Sequence, residues 1–549
     1  MRKILIIVLA VLAVIVLAVA GIAIYLWMFL SEPPEQTAKY LPVDTTFYAS
    51  MNLRPGVGQL NQIRKIVGKF PKRSEVDETL DEVSDSIEEE TGIDLLDDVW
   101  TWIGSEVSVA LVDVESLDVA PEIAVFIQTR NTEAAQETVD LFIKQMESEG
   151  MEFKVGKAHG YTTLGHSDQD GGVHIALTDD LLVYASTDRL LDNTLERIKN
   201  PTTSLYDNPD FIKAREQAPD RVAFMYSRLN GFANLIEEEL FNAEPSLQST
   251  SLWDKYNSTN YVISGSMGFE DESVRLNFSI YGDLDEGSEN SMSAKNILPS
   301  DTVMYFSFPG LSSIWTQFKE ELTASGDTFE IDSVLSTIED ETGVSIDDDV
   351  FGWMTGEFAL TWLAGDIGSL EGDELPIIDA AVLFEGNNKA TVNKSMAKIR
   401  NVMENDLEIP FKNIDVNGTE TSVIDISEIT ETDAYEPWFN VNDKTLMIGT
   451  TRGALQRVSD VTNGDSKSLA ESDTFKKAMD SSLDNPQFLM YLNMSLAREM
   501  IETALPDDVI STYRKDVEQW LRPIGAITIT GTNKSDVAQA RISVTFTGE

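Results

Sequence analysis

The sequence predicts an α+β protein: two homologous domains of mostly antiparallel sheet with packed helices, preceded by one transmembrane helix. Three observations carry this expectation. An uncharged apolar run opens the chain, a unit of roughly 250 residues occurs twice, and strand patterns inside each unit come in adjacent groups. The expected layout is a cytoplasmic stub (1–3), a transmembrane anchor (4–30), a linker (31–39), a first α+β repeat (40–282), a second linker (283–295) and a second α+β repeat (296–549).

The apolar run extends from Ile4 to Leu30, 27 residues without a charge. A bilayer core needs about 20 apolar residues as a helix, so the run is long enough to span with some tilt. Tyr25 and Trp27 fall where an interfacial aromatic belt lies. Arg2 and Lys3 precede the run while Glu32 and Glu35 follow it, which orients the N-terminus to the cytoplasm and the body to the outside. Ala18-Val19-Ala20 before Gly21 resembles a leader cleavage site. Cleavage there would leave ten apolar residues, GIAIYLWMFL, facing water, which favours a retained signal anchor at the cell membrane.

The duplication is legible in ordered pairs. Residues 87–111 (IEEETGIDLLDDVWTWIGSEVSVAL) and 338–362 (IEDETGVSIDDDVFGWMTGEFALTW) share ten of 25 positions, among them Trp102/Trp353 and Glu106/Glu357. Leu41-Pro42-x-Asp44-Thr45 matches Leu298-Pro299-x-Asp301-Thr302. LLVYASTDRLL (181–191) resembles TLMIGTTRGAL (445–455), Phe211 matches Phe475, and Met225-Tyr226 matches Met490-Tyr491.

Within the first copy a strand is expected at 47–53. Two helices follow, the second with Val76, Leu80, Val83 and Ile87 at helical spacing. Strands are expected near 105–112 and 122–129, and a helix over 133–148 capped by Asn131 or Thr132. A meander at 152–157, 160–165, 173–178 and 181–186 leads to helices at 188–198 and 208–216. Strand 221–227, a helix at 229–241 and a hairpin (259–268 and 273–281, turning at Glu270-Asp271) complete the unit.

Composition excludes some function classes. The chain has 41 basic and 93 acidic residues, a net charge of −52. Such a charge repels nucleic-acid phosphates and disfavours docking on anionic lipid headgroups. A saline or divalent-rich medium would screen it. The chain has no cysteine, so no disulfide supports the body, and a body of this length can bury enough core without one. Six N-x-S/T sequons, including those at Asn257 and Asn417, matter only in a glycosylating secretory route. A cysteine-free ectodomain on a simple anchor points to a bacterial envelope.

The L-P-x-D-T opening (Leu41 to Thr45) and the E-T-G-(I/V)-x-(L/I)-x-x-D-V stretch (Glu90 to Val99, Glu341 to Val350) resemble those of an uncharacterised bacterial family, known only as a domain of unknown function. The resemblance implies one N-terminal apolar segment and a large extracytoplasmic α+β body from about residue 40 onward. It supplies no catalytic residue.

Four groups are candidate sites. The acidic clusters Asp94, Asp97, Asp98 and Asp347, Asp348, Asp349 could each supply oxygen ligands to Ca²⁺, although neither completes the D-x-D-x-D-G-x5-E pattern; capping of a helix start is the bland reading. His159, His166 and His174 lie within 16 residues, and a meander could gather them around a transition metal. Asp168 to Gly172 (DQDGG) is read as a tight turn, and Ser395-x-x-Lys398 as a chance match to a nucleophile motif. Trp100, Trp102 and Trp353 could line a cleft, but large aromatics beside strands are more often core.

No Walker, G-x-S-x-G or dinucleotide fingerprint is present. The leading expectation is therefore a non-enzymatic, membrane-tethered envelope protein that binds or scaffolds, with no cofactor and with an envelope protein or small ligand as partner. The alternatives are a sensor or carrier of a small or lipidic ligand, and a metal-dependent hydrolase. An apolar cavity of several hundred Å³ would favour the carrier; converging carboxylates would favour the hydrolase.

Overall fold

A computed structural model describes residues 35–54, 57–70, 99–113, 122–148, 152–167, 172–218, 221–232, 261–284, 286–324, 331–365, 378–416, 418–424 and 436–547. The apolar run, the helix expected around Val76 to Ile87, the cluster Asp94, Asp97, Asp98 and the turn residues Asp168 to Gly171 lie outside the described residues. Among the described residues no helix is long and apolar enough to cross a membrane. The chain divides into two compact units. Unit 1 runs to Leu284 and includes Ser535–Gln539, and unit 2 comprises Asp285–Lys534 and Ala540–Glu549.

In unit 1 the elements follow the alternation and capping signals of the sequence. They are β1 (Phe47–Asn52), α1 (Val57–Val67), β2 (Ile103–Leu111), β3 (Ile123–Thr129), α2 (Thr132–Ser148), β4 (Lys154–Ala158), β5 (Tyr161–Ser167), β6 (Gly172–Leu177), β7 (Leu181–Ala185), α3 (Asp188–Lys199), α4 (Pro209–Glu216), β8 (Arg221–Arg228), β9 (Val262–Glu270) and β10 (Ser273–Tyr281). Asn131 accepts the Ala134 amide at the start of α2, and the Thr187 hydroxyl caps α3 by accepting the Leu190 amide. The strand order is β10-β9-β8-β1-β2-β3-β7-β6-β5-β4, antiparallel throughout.

Two details differ from expectation. The last hairpin turns at Asp271 and Glu272, one residue later, with φ of 48° and 59°; paired left-handed residues give the twist that a two-residue hairpin needs. The helix expected at 229–241 begins as a single 3₁₀ turn, Leu229–Phe232, and its remainder lies outside the described residues.

Unit 2 is built from β11 (Thr302–Pro309), α5 (Leu311–Ala324), α6 (Ile331–Thr342), β12 (Glu357–Leu363), β13 (Ala380–Glu385), α7 (Lys389–Asn405), β14 (Phe411–Val416), β15 (Thr419–Ile424), β16 (Trp438–Asn442), β17 (Thr445–Gly449), α8 (Arg452–Asn463), α9 (Asp473–Asp480), β18 (Phe488–Asn493), α10 (Met494–Ala504), α11 (Asp507–Asp516), α12 (Glu518–Leu521), β19 (Ile524–Lys534) and β20 (Val537–Phe546). Its order is β20-β19-β18-β11-β12-β13-β17-β16-β15-β14. With ten added to each number, this is the order of unit 1.

The sequence pairs occupy matching places. Each L-P-x-D-T threonine donates its hydroxyl to the proline carbonyl, Thr45 to Pro42 at 2.8 Å and Thr302 to Pro299 at 2.7 Å. The leucine carbonyls of the same motif accept the amides of Leu205 and Leu469. Those amides belong to turns closed by reciprocal caps, Ser204 with Asp207 and Ser468 with Glu471. Tyr48 lies opposite Tyr226, and Tyr305 opposite Tyr491. Phe211 packs edge-on against Tyr48 and Tyr226, with centroids at 5.6 and 5.2 Å. Phe475 meets Tyr491 in the same way at 5.0 Å. These rings sit at the centre of each unit's core, on the sheet face covered by α3 and α4, or by α8 and α9.

Candidate functional site

Among the described residues, the groups singled out in the sequence do not gather into a metal centre. Asp347 accepts from Trp315 Nε1 and Lys319 Nζ, both at 2.6 Å, which holds its carboxyl below the usual range. Asp349 accepts from Lys398 Nζ at 2.5 Å and from the Ser345 amide. Burial pushes the Asp349 carboxyl up, but these bonds outweigh it and leave it lowered. The Asp348 amide donates to the Ser345 hydroxyl at the helix start. The cluster thus caps a turn and pairs with lysines on two different helices.

Histidine geometry is decided by strand register. His174 lies opposite Gly165 and His166 opposite Val173, so the two side chains leave opposite faces of the hairpin. His166 Nδ1 contacts the Glu152 carbonyl, and His174, its basicity lowered by burial, faces Asp188 at 3.8 Å. His159 sits at the β4–β5 turn, 3.2 Å from Asp192. Among the described residues no group of three or more His, Asp or Glu side chains is placed to hold a metal ion. Trp102 and Trp353 are core residues whose indole N–H groups reach the Thr138 hydroxyl and the Asp349 carbonyl. Trp100 packs beside Trp102. Ser395 is buried in α7, and Lys398 is taken by Asp349.

Two buried carboxylates, the matched pair Glu106 and Glu357, lie outside these candidate groups. Glu106 on β2 is 1% exposed. It accepts the Gln36 amide (2.8 Å), the Thr37 amide (3.3 Å), the Thr37 hydroxyl (2.6 Å) and the Tyr48 hydroxyl (2.9 Å). Burial raises its carboxyl above the ordinary range despite these donors. Glu357 on β12, 3% exposed, accepts the Ala294 amide (2.8 Å), the Ser293 hydroxyl (3.1 Å), the Ser307 hydroxyl (2.7 Å) and the Tyr305 hydroxyl. Each glutamate therefore fastens the 3₁₀ turn that enters its unit, Gln36–Tyr40 or Ser293–Asn296. Each turn follows a left-handed residue, Glu35 at φ 64° and Met292 at φ 46°. Both stretches had been expected to be plain linkers. The available signal was an acid recurring inside two apolar strands, IGSEVSVAL and TGEFALTWL.

The opposite face of the unit 1 sheet carries the feature best suited to a ligand. A groove of about 470 Å³ is floored by Met51, Val107, Met225, Met267, Leu276 and Phe278. None of the described residues lining it is charged, and Phe278 is 40% exposed. A Cβ on Gly265 would stand 2.8 Å from Met225 Cγ, so this glycine keeps the floor low. The matching face of unit 2 is filled. Phe306, Phe308, Phe358 and Phe488 form a chain of ring contacts, 5.4, 5.2 and 4.7 Å between centroids. By the paired registers, unit 1 has Ala49, Met51, Val107 and Ala223 at those four places. Leu496 and Ala497 of α10 further cover Trp362 and Leu492 in unit 2. Two polar clefts of unit 1, about 520 and 510 Å³, carry ion-paired or hydrogen-bonded groups such as Glu122–Arg189 and His166.

No curated protein matches the chain. Two solved structures show a faint likeness. Crystal form I of TP0453 is 13% identical, covering 47% of this chain and 82% of that one with a TM-score of 0.25. Crystal form III of TP0453 is 14% identical, covering 46% and 80% with a TM-score of 0.23. Neither likeness is strong enough to argue from. A family model does match almost end to end, over residues 8–546, and the chain belongs to that family, the protein of unknown function DUF3352.

Proposed function

We propose that this chain is a membrane-tethered extracytoplasmic binding protein, non-enzymatic, made of two copies of one α+β unit, and that unit 1 takes an apolar ligand of the lipid acyl-chain class. The observation that carries this reading is the uncharged groove, left open by the described residues of unit 1 where unit 2 has four phenylalanines. Its volume of about 470 Å³ falls in the range of small-molecule sites, roughly 300–1,000 Å³. A lining without charge gives an ionic ligand no partner, so burial of apolar surface supplies most of the affinity. Three methionines in the lining adapt to chains of varied shape. The apolar run at 4–30, read as a retained anchor, puts lipid at hand. Matching strand orders and matching residue pairs support the duplication.

Native mass spectrometry of the full chain tests this reading. The expected spectrum carries one lipid mass per chain, and the double substitution Ala49→Phe with Ala223→Phe removes it. A bare chain, or equal adducts on both proteins, would contradict the reading.

A further inference from the structure

We infer that residues 35–40 form a strap locked into unit 1 by Glu106, so that the body is held within a short reach of the bilayer, with the Glu35 end of unit 1 against the lipid headgroups. The inference rests on the reading of residues 4–30 as a retained anchor.

The strap is fastened at three points. Glu106 takes four donors from Gln36, Thr37 and Tyr48. Glu35, 0% exposed, forms a forked pair with Arg221 (2.9 and 2.6 Å) and meets Arg215 Nε at 3.3 Å. Ala38 and Leu41, both 0% exposed, enter the core beside Tyr48 and Leu205. A buried carboxylate with two amide and two hydroxyl donors makes bonds roughly twice as strong as neutral ones. A bidentate Arg–carboxylate pair adds fixed orientation. No such set of contacts is needed by a segment that only spaces a body from a membrane.

Length then decides the geometry. The apolar run ends at Leu30, and the first locked residue is Glu35. Five residue steps reach at most about 18 Å even when fully extended. The headgroup layer itself takes up about 5–8 Å of that. The surface around Glu35, where Arg215 and Arg221 lie, is therefore the part of unit 1 that faces the bilayer. Releasing the strap would free the chain back to Leu41 and roughly double its reach.

The chain has no cysteine, so one introduced cysteine carries one dye. Glu216 is exposed beside this surface, and Glu216→Cys places a donor there. The full chain is reconstituted in phosphatidylcholine vesicles containing acceptor-labelled lipid, and energy transfer is measured together with hydrogen exchange of amides 36–41. High transfer and protected amides are expected. Glu106→Ala should lower the transfer and speed exchange about tenfold or more, the factor one charge-assisted bond is worth to a local opening. Glu106→Gln, which keeps one acceptor oxygen, should fall between. Glu357→Ala is the matched control, expected to leave both readouts at 216 and 36–41 unchanged. Fast exchange in the wild type, or equal transfer with and without Glu106, would overturn the inference. If the chain fails to float with vesicles the anchor reading is wrong, and protection of 36–41 in that same protein still decides whether the strap is locked.

Discussion

At the scale of single residues, a few side chains do the same work twice. Phe211 is fully buried between two tyrosines, and Phe475 occupies the same place in unit 2. Phe211→Ala should cost about 3–5 kcal/mol, the usual range for emptying a phenylalanine site in a core. Urea titration checks this through a lower midpoint for the unit 1 transition. Glu106 predicts a pH effect of known sign. Its carboxyl is raised by burial, so the folded state holds the proton more tightly than the unfolded chain. Its ionisation therefore costs stability as pH rises through the raised value, and the cost disappears on acidification toward the ordinary carboxylate range. Relative to Glu106→Gln, the wild type should lose ground in urea melts as pH rises above the ordinary carboxylate range. A pH-independent gap would contradict this. Asp347, Asp349 and Glu385 act in the opposite sense. Their lowered carboxyls contribute stability above the ordinary range, lost as pH falls below it.

At the scale of elements, the groove follows from strand residues of different size in the same topology. Ala49→Phe with Ala223→Phe puts unit 2's residues into unit 1, and the melting temperature of the double variant should hold or rise, because the rings fill open space. A fall of more than about 5 °C, roughly 1 kcal/mol or more, would mean the face is already filled. Much of this level was legible beforehand. Period-two alternation gave β1 to β3 and the β4–β7 meander within a residue or two, and Asn131 marked a helix start. Three features were hidden for physical reasons. The relative faces of His166 and His174 depend on cross-strand register, which a turn sets and local pattern does not show. The strap's lock joins Thr37 to Glu106 across 69 residues, so no local signal marks it. The groove was hidden as well, since an alanine in a strand looks alike whether its neighbour space is filled or empty.

At the scale of the whole molecule, charge and the matching strand orders of the two units set the behaviour. A net charge of −52 stresses each folded unit through self-repulsion. Raising sodium chloride from about 10 mM to about 1 M shortens the Debye length from about 30 to about 3 Å and should raise the melting temperature. Calcium at matched ionic strength should add nothing further through unit 2, because Asp347 and Asp349 already have lysine partners. A calcium-specific shift that Asp348→Asn abolishes would restore the metal site. The two units share strand order, core aromatics and locking glutamates, yet differ on one sheet face. Unit 2 fills that face with its own rings, and the reading proposed for unit 1 is that a ligand fills it instead.

That claim is tested most directly by photocrosslinking. The full chain is placed in vesicles containing a lipid whose acyl chain carries a diazirine, irradiated, digested and mapped. The account predicts crosslinks on the strands bearing Met225, Met267, Leu276 and Phe278, lost when Ala49 and Ala223 become phenylalanine. Crosslinks confined to residues 4–30, or unchanged by the two rings, would contradict it.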